Sequence, residues 1–83
     1  MSPTRDDVRA ADEAEAARLC ATLTEAERGV LTLCAKGFTA AEVGALIGRR
    51  HATVERHKAN FVAKLAVGST IEAAVVAAKA GLV

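Results

Sequence analysis

Within residues 49–68, Arg49, Arg50, Arg56, Lys58 and Lys64 are set against one acid, Glu55. The window nets +4 in a chain whose total charge is +1. Cations gathered in this way suit a surface that meets phosphate. The plainer reading is an amphipathic helix with a solvated basic face. Glu55 sharpens the choice. Its carboxylate can accept from the exocyclic amine of cytosine in a major groove. It can also be a solvent-facing group tethered to a nearby arginine, or it can repel phosphate and mark a helix that no longer tolerates DNA. Arg56 is expected to touch a base or a phosphate. Thr53 either donates to phosphate or bonds local backbone.

Other chemistries find less support. His51 and His57 are six positions apart, which turns them about 240° from one another on a helix, so they cannot chelate together. No metal or cofactor is expected. Cys20 and Cys34 follow no metal-binding spacing and read as small hydrophobes of a reducing compartment. No glycine-rich phosphate loop or nucleophile with an orienting base is present, and an enzyme is not expected. Asp6, Asp7, Asp12, Glu13 and Glu15 read as a solvated helix face or, alternatively, as an acidic partner surface. The longest apolar run, residues 73–78, is far short of the roughly 20 residues that span a bilayer. The first residues also lack an apolar secretory core. A cytoplasmic protein without membrane contact is expected.

Short-range signals define the elements that position these groups. In a chain of 83 residues that is 52% hydrophobic, much of it alanine, helix is favoured and no strand-like alternation appears. Thr24/Glu27, Thr39/Glu42 and Ser69/Glu72 each place a hydroxyl three residues before a carboxylate, the spacing of a capping box. Phe38 and Val43 flank the second cap as a hydrophobic staple would. Gly37, Gly48 and Gly81 stand where the corresponding helices should stop. These signals predict helices near 25–36, 40–47, 51–66 and 70–80. A further helix from Arg5 to about Cys20 would start at Thr4, with Asp7 as box partner and a thin stripe of Val8, Ala11 and Leu19.

The helices near 40–47 and 51–66 are separated by little more than Gly48, Arg49 and Arg50. A short helix, a tight glycine turn and a longer helix make a helix-turn-helix unit, whose second helix enters the major groove N-terminal end first. Val54, Phe61, Val62 and Leu65 would face inward with the stem of Lys58 at their rim. Residues 52, 55, 56, 59 and 63 would point out.

The segments "LTEAERGVLTLCAKGFTAAEVGALIG", "TVERHKANFVAKLAV" and "STIEAAVVAAKAGLV" resemble the LuxR-type, or GerE-type, DNA-binding domain of bacterial transcriptional regulators. The resemblance rests on Leu23, Thr24 and Glu27, on Glu42-Val43-Gly44, and on Thr53-Val54 with His57, Asn60, Lys64 and Leu65. Ser69, Glu72 and Ala73 complete it. It implies an all-α fold: a four-helix LuxR-type helix-turn-helix domain over 23–83, with an extra acidic helix over 1–22. It also implies binding of double-stranded DNA by the third of the four helices and dimerisation through the fourth. His57 would wedge between that helix and a phosphate or a core carbonyl.

Departures from the family pattern are informative. An aliphatic residue and a hydroxyl cap usually precede the reading helix, and here Arg49 and Arg50 stand there. Loss of the cap costs about 0.5–2 kcal/mol, while the arginines add sequence-independent phosphate contacts. Positions often basic or polar hold Glu55 and Ala59. The expected DNA-binding set is therefore Arg49, Arg50, Thr53, Glu55, Arg56, His57, Lys58, Ala59, Asn60 and Lys64. Lys64 is divided between phosphate contact and complementing the helix dipole.

On the last helix Ile71, Ala74, Val75 and Ala78 form the stripe expected to face the core. Ala73, Val76, Ala77 and Ala80 form a second stripe for a homodimer. No receiver or ligand-sensing domain is expected within the sequence. That, with Glu55 and Ala59, leaves an alternative: a protein-binding regulator, an antiactivator or accessory subunit, that pairs with another transcription regulator.

Overall fold

A computed structural model describes residues 4–83. Among them are five helices and no strand: α1 (Arg5–Cys20), α2 (Glu25–Ala35), α3 (Ala40–Ile47), α4 (His51–Lys64) and α5 (Thr70–Lys79). The four later helices begin and end within about two residues of the positions that their caps and stops predict.

Two capping boxes close fully. The Thr24 hydroxyl accepts from the Glu27 N–H at 3.1 Å, and the Thr24 N–H donates to the Glu27 carboxylate at 2.9 Å. Thr39 and Glu42 exchange the same pair of bonds at 3.2 and 2.9 Å. The third box is only half made. Ser69 accepts from the Glu72 N–H, but the Glu72 carboxylate reaches past it to the N–H of Gly68 at 2.8 Å. The box expected between Thr4 and Asp7 depends on the Asp7 side chain, which lies outside the described residues.

Helices α2, α4 and α5 end alike. In each, the second residue past the cap donates back five positions and the first donates back three, the Schellman pattern. The turn needs a positive φ, which Gly37 (99°) and Gly81 (80°) supply without strain. At the end of α4 the same place is taken by Ala66, with φ 57°. A side chain held in that region costs about 1–2 kcal/mol. Ala66→Gly is therefore expected to stabilise the fold by about 1 kcal/mol, net of the extra chain entropy of glycine. A raised urea midpoint at unchanged m-value would report it.

Phe61 of α4 sits at the centre of a core with Leu23, Val30, Leu31, Val43, Val54, Leu65, Ala73 and Ala77. α2 packs on both α4 and α5, and α3 packs on α4. The inward face of α4 is as expected for Val54, Phe61 and Leu65, with Val62 and Lys58 half-buried at the edge.

One expectation about packing fails, the phase of α5. Ala73 and Ala77 are wholly buried, so neither is available to a partner. Ile71 and Val75, expected inside, are 79% and 51% exposed. Small alanine side chains let α5 approach α2 and α1 closely, and this turns the branched residues outward. Val76 and Ala80 are half-buried.

Helix α1 lies along α5 through Ala16, Leu19 and Cys20; of its thin apolar stripe Leu19 takes part, while Val8 and Ala11 are exposed. An ion pair of 2.8 Å between Asp12 and Lys79 ties the two helices. Toward its start α1 is exposed wherever its side chains are described, and the molecule measures 52 × 20 × 20 Å.

Candidate nucleic-acid interface

The turn between α3 and α4 determines how α4 is presented. Gly48 ends α3 in the left-handed region (φ 69°), and its N–H donates to the carbonyl of Gly44. The Arg49 N–H donates to the same oxygen at 2.9 Å. The turn thereby presses so close to α3 that a β-carbon on Gly44 would come within 2.8 Å of the Arg49 carbonyl oxygen. Glycine at position 44 is thus required by close approach. Arg50 caps α4 in an extended conformation and makes no side-chain cap bond. That agrees with the missing hydroxyl and leaves both arginine side chains exposed.

Arg49, Arg50, His51, Glu55, Arg56, Ala59 and Asn60 are exposed, while Thr53, His57 and Lys58 are half-buried. Residues 52, 55, 56, 59 and 63 are all exposed, with Arg56 at the edge of that face that borders a cleft against α2. Arg49 and Arg56 both line this cleft between α2 and α4, and Arg50 stands with Arg49 at a second hollow against α3.

Glu55 is tethered, but not to an arginine. Its carboxylate stands 3.5 Å from the His51 Nε2 and 3.4 Å from the Lys58 Nζ, both on its own helix. Lys58 is committed in part to that contact, its stem along the core edge. Asn60 and His57 line the same cleft between α4 and α2.

Lys64 stands apart from the others and corrects the expectation made for it. Its ammonium lies 2.6 Å from the carboxylate of Glu27 on α2, so its charge is spent on a structural ion pair and not held out to phosphate. Glu27 is 4% exposed. The Lys64 ammonium, followed by the Thr24 N–H, holds the Glu27 carboxyl below the usual glutamate range. Residues 27 and 64 are 37 positions apart, and no local pattern links them.

Both cysteines are free. Burial pushes their thiols up from the ordinary value, so they stay protonated at neutral pH. Among the described residues, no three His, Cys, Asp or Glu side chains gather as a metal site. No helix among them is long and apolar enough to cross a membrane.

Comparison with known proteins adds one positive finding. Residues 21–77 match the GerE family, described as bacterial regulatory proteins, luxR family. None of the curated proteins compared with it matches the chain.

Proposed function

We propose that this chain, which belongs to the LuxR family of bacterial regulatory proteins, binds duplex DNA as a symmetric dimer and regulates transcription. The observation that carries this reading is the exposure of Arg49 and Arg50 in the turn before α4 and of Arg56 in its first half. Residues 23–83 act as the binding unit and 1–22 as an appended helix. Arg49 and Arg50 neutralise phosphate beside the groove, and Glu55, Arg56 and Ala59 face the bases. The Lys58 ammonium, 3.4 Å from the Glu55 carboxylate, partly offsets its charge before any phosphate arrives, which weighs against a helix that has lost its tolerance for DNA.

With few free cations per protomer, binding to random DNA is weak and steep in salt. Each phosphate contact contributes about −0.9 to the slope of log K against log salt. Fluorescence anisotropy at two ionic strengths tests this. Salt-independent binding, or none at low salt, overturns it.

The dimer forms through α5, on the face that carries Ile71 and Val75 and not on the alanine stripe. Branched side chains so exposed on one helix face favour a partner, and a two-fold pairing of α5 suits a two-fold operator. Two ten-residue helices bury a small area, so the dimer is weak until DNA holds it. Ile71→Glu with Val75→Glu leaves helicity intact, because both positions are already exposed. It is expected to yield a monomer by light scattering at concentrations where the parent chain dimerises, and to abolish cooperative binding to a two-site duplex.

The alternative, a regulator that pairs with another transcription regulator, is favoured by the acid at position 55 on the outer face. It predicts no DNA binding by the parent chain.

A further inference from the structure

A cleft of about 930 Å³ opens between α2 and α4, with the last residue of α3, Ile47, in its lining. That size falls within the range of small-molecule sites. Its floor is apolar. Val30 is fully buried beneath it, Leu33 is half-buried, and Ile47 shows 38% of its surface. Position 49 holds Arg49, whose charged side chain is exposed, where the family pattern usually has an aliphatic residue.

The polar groups at the cleft are unevenly arranged. Arg49, Arg56 and His57 stand along the α3–α4 side. On the α2 side the Glu27 carboxylate is already matched by Lys64, which leaves Glu25 as the acid at that rim. An occupant with an apolar body lying on Val30, Leu33 and Ile47 would have the guanidinium groups of Arg49 and Arg56 along one side of it.

We propose that this cleft is a binding site for an amphipathic organic anion, a single-chain molecule with an apolar body and one carboxylate. The carboxylate belongs on the α4 side, against Arg56 and Arg49 and away from Glu25. A neutral or cationic molecule of the same length gains the floor but not the head-group pairing. The site stands independently of DNA binding. If the reading above holds as well, an occupant also covers Arg49, Thr53 and Arg56 and competes with phosphate for them.

Sodium decanoate, below its micelle concentration, is a suitable probe for the full chain. Decyltrimethylammonium serves as the cation of equal chain length. In heteronuclear NMR, decanoate is expected to shift the methyl signals of Val30, Leu33 and Ile47 saturably, with a Kd of about a millimolar. The cation is expected to bind about tenfold more weakly or not at all.

Gly29 gives a blocking variant. It lies on the cleft side of α2, and an added β-carbon there meets nothing within 4 Å. Gly29→Leu therefore fills the cleft while favouring the helix, and is expected to remove the decanoate shifts. Arg56→Glu, at an exposed position, is expected to weaken binding about tenfold even should Gly29→Leu fold poorly. The proposal is overturned by any of three results: no saturable shift, equal binding of the two probes, or shifts centred on exposed Ile71 and Val75 that survive both substitutions. No DNA enters the measurement, so its failure and that of the DNA reading are separately visible.

Discussion

Lys64→Met is expected to destabilise the fold by about 2–3 kcal/mol. The cause is asymmetric burial. Glu27 is 4% exposed, whereas the Lys64 side chain keeps 39% of its surface. Removing the ammonium leaves a carboxylate buried between α2 and α4 with the Thr24 N–H as its remaining charge-stabilising partner. Losing one partner of a buried pair costs about 3–5 kcal/mol, and the exposure of Lys64 lowers that figure. A domain of this size has total stability on the order of 4–12 kcal/mol, so the midpoint of thermal unfolding falls by about 10–20 °C. Glu27→Gln should cost much less. Glutamine can still close the box with Thr24, and a freed Lys64 simply turns to solvent. Equal losses in the two variants would mean that the pair is not held as described.

The same pair sets a pH dependence with a definite sign. A glutamate whose folded value lies below its unfolded value of about 4.3 contributes stability at every pH above that range. The contribution is withdrawn as pH falls from there through the lowered folded value. In Lys64→Met the largest of the influences that lower the Glu27 carboxyl is gone, while the Thr24 N–H still outweighs burial, so the carboxyl stays lowered but by less and the stability withdrawn by acid is smaller. The gap between the parent chain and Lys64→Met should therefore be widest at neutral pH and shrink as pH approaches 3. Urea titrations at pH 7 and pH 3 measure it. The Glu42 carboxyl is also lowered, by the Thr39 N–H and hydroxyl, but both chains keep that contribution.

What the residues reveal on their own follows the range of the interaction. Helix ends were legible because a capping box or a Schellman turn is decided within about six residues of chain. Thr24, Thr39, Gly37, Gly48 and Gly81 each act at that range. Ala66 was not legible, since an alanine in the left-handed region leaves no trace in composition. The face of α4 was readable too, because large residues mark it: Val54, Phe61 and Leu65 admit only one inward direction.

α5 has no such contrast. It is apolar most of the way round, so hydrophobicity alone left two possible phases, and preferring the larger side chains for the core gave the wrong one. A better signal lay at its end. In a Schellman turn the second residue past the cap folds back on the third residue before it. Here that pairs Leu82 with Ala77, and the Leu82 N–H does donate to the Ala77 carbonyl at 3.0 Å. Leu82 is thus the large residue that marks the inward face, beyond the helix and not within it. For Glu27 and Lys64 no comparable signal exists, since their meeting depends on α2 and α4 being packed first. The outer face of α4 was legible for the opposite reason: exposed charge needs no partner to be recognised. Even so, the partners of Glu55 are His51 and Lys58, helix neighbours at four and three positions, and not the arginine expected.

Substitution at Glu55 should then separate the readings of that outer face. If α4 reads DNA, Glu55→Lys is expected to raise affinity for random duplex and to steepen the salt slope by about 0.9 per protomer, one further phosphate being neutralised. Preference at one position of each half-site should weaken by about 1–3 kcal/mol, because the acceptor for cytosine is lost. The substitution also frees Lys58 and His51 from the carboxylate that now holds them, so affinity rises by more than one added charge would bring. Arg49→Ala with Arg50→Ala should move the other way. It removes four cations from a dimer, lowers affinity by about a hundredfold to a thousandfold, and flattens the salt slope, while base preference persists. The protein-pairing alternative predicts another pattern: no measurable affinity in the parent chain, strong binding only after Glu55→Lys, and no sequence preference lost because none existed. Anisotropy titrations with a randomised duplex pool, followed by sequencing of the bound fraction, read affinity and preference together. A parent chain that binds with a shared two-fold motif, and loses one position of that motif in Glu55→Lys, would place the carboxylate at a base edge. Unchanged preference with raised affinity would make Glu55 only a brake on phosphate attraction and leave Arg56 as the side chain that reads.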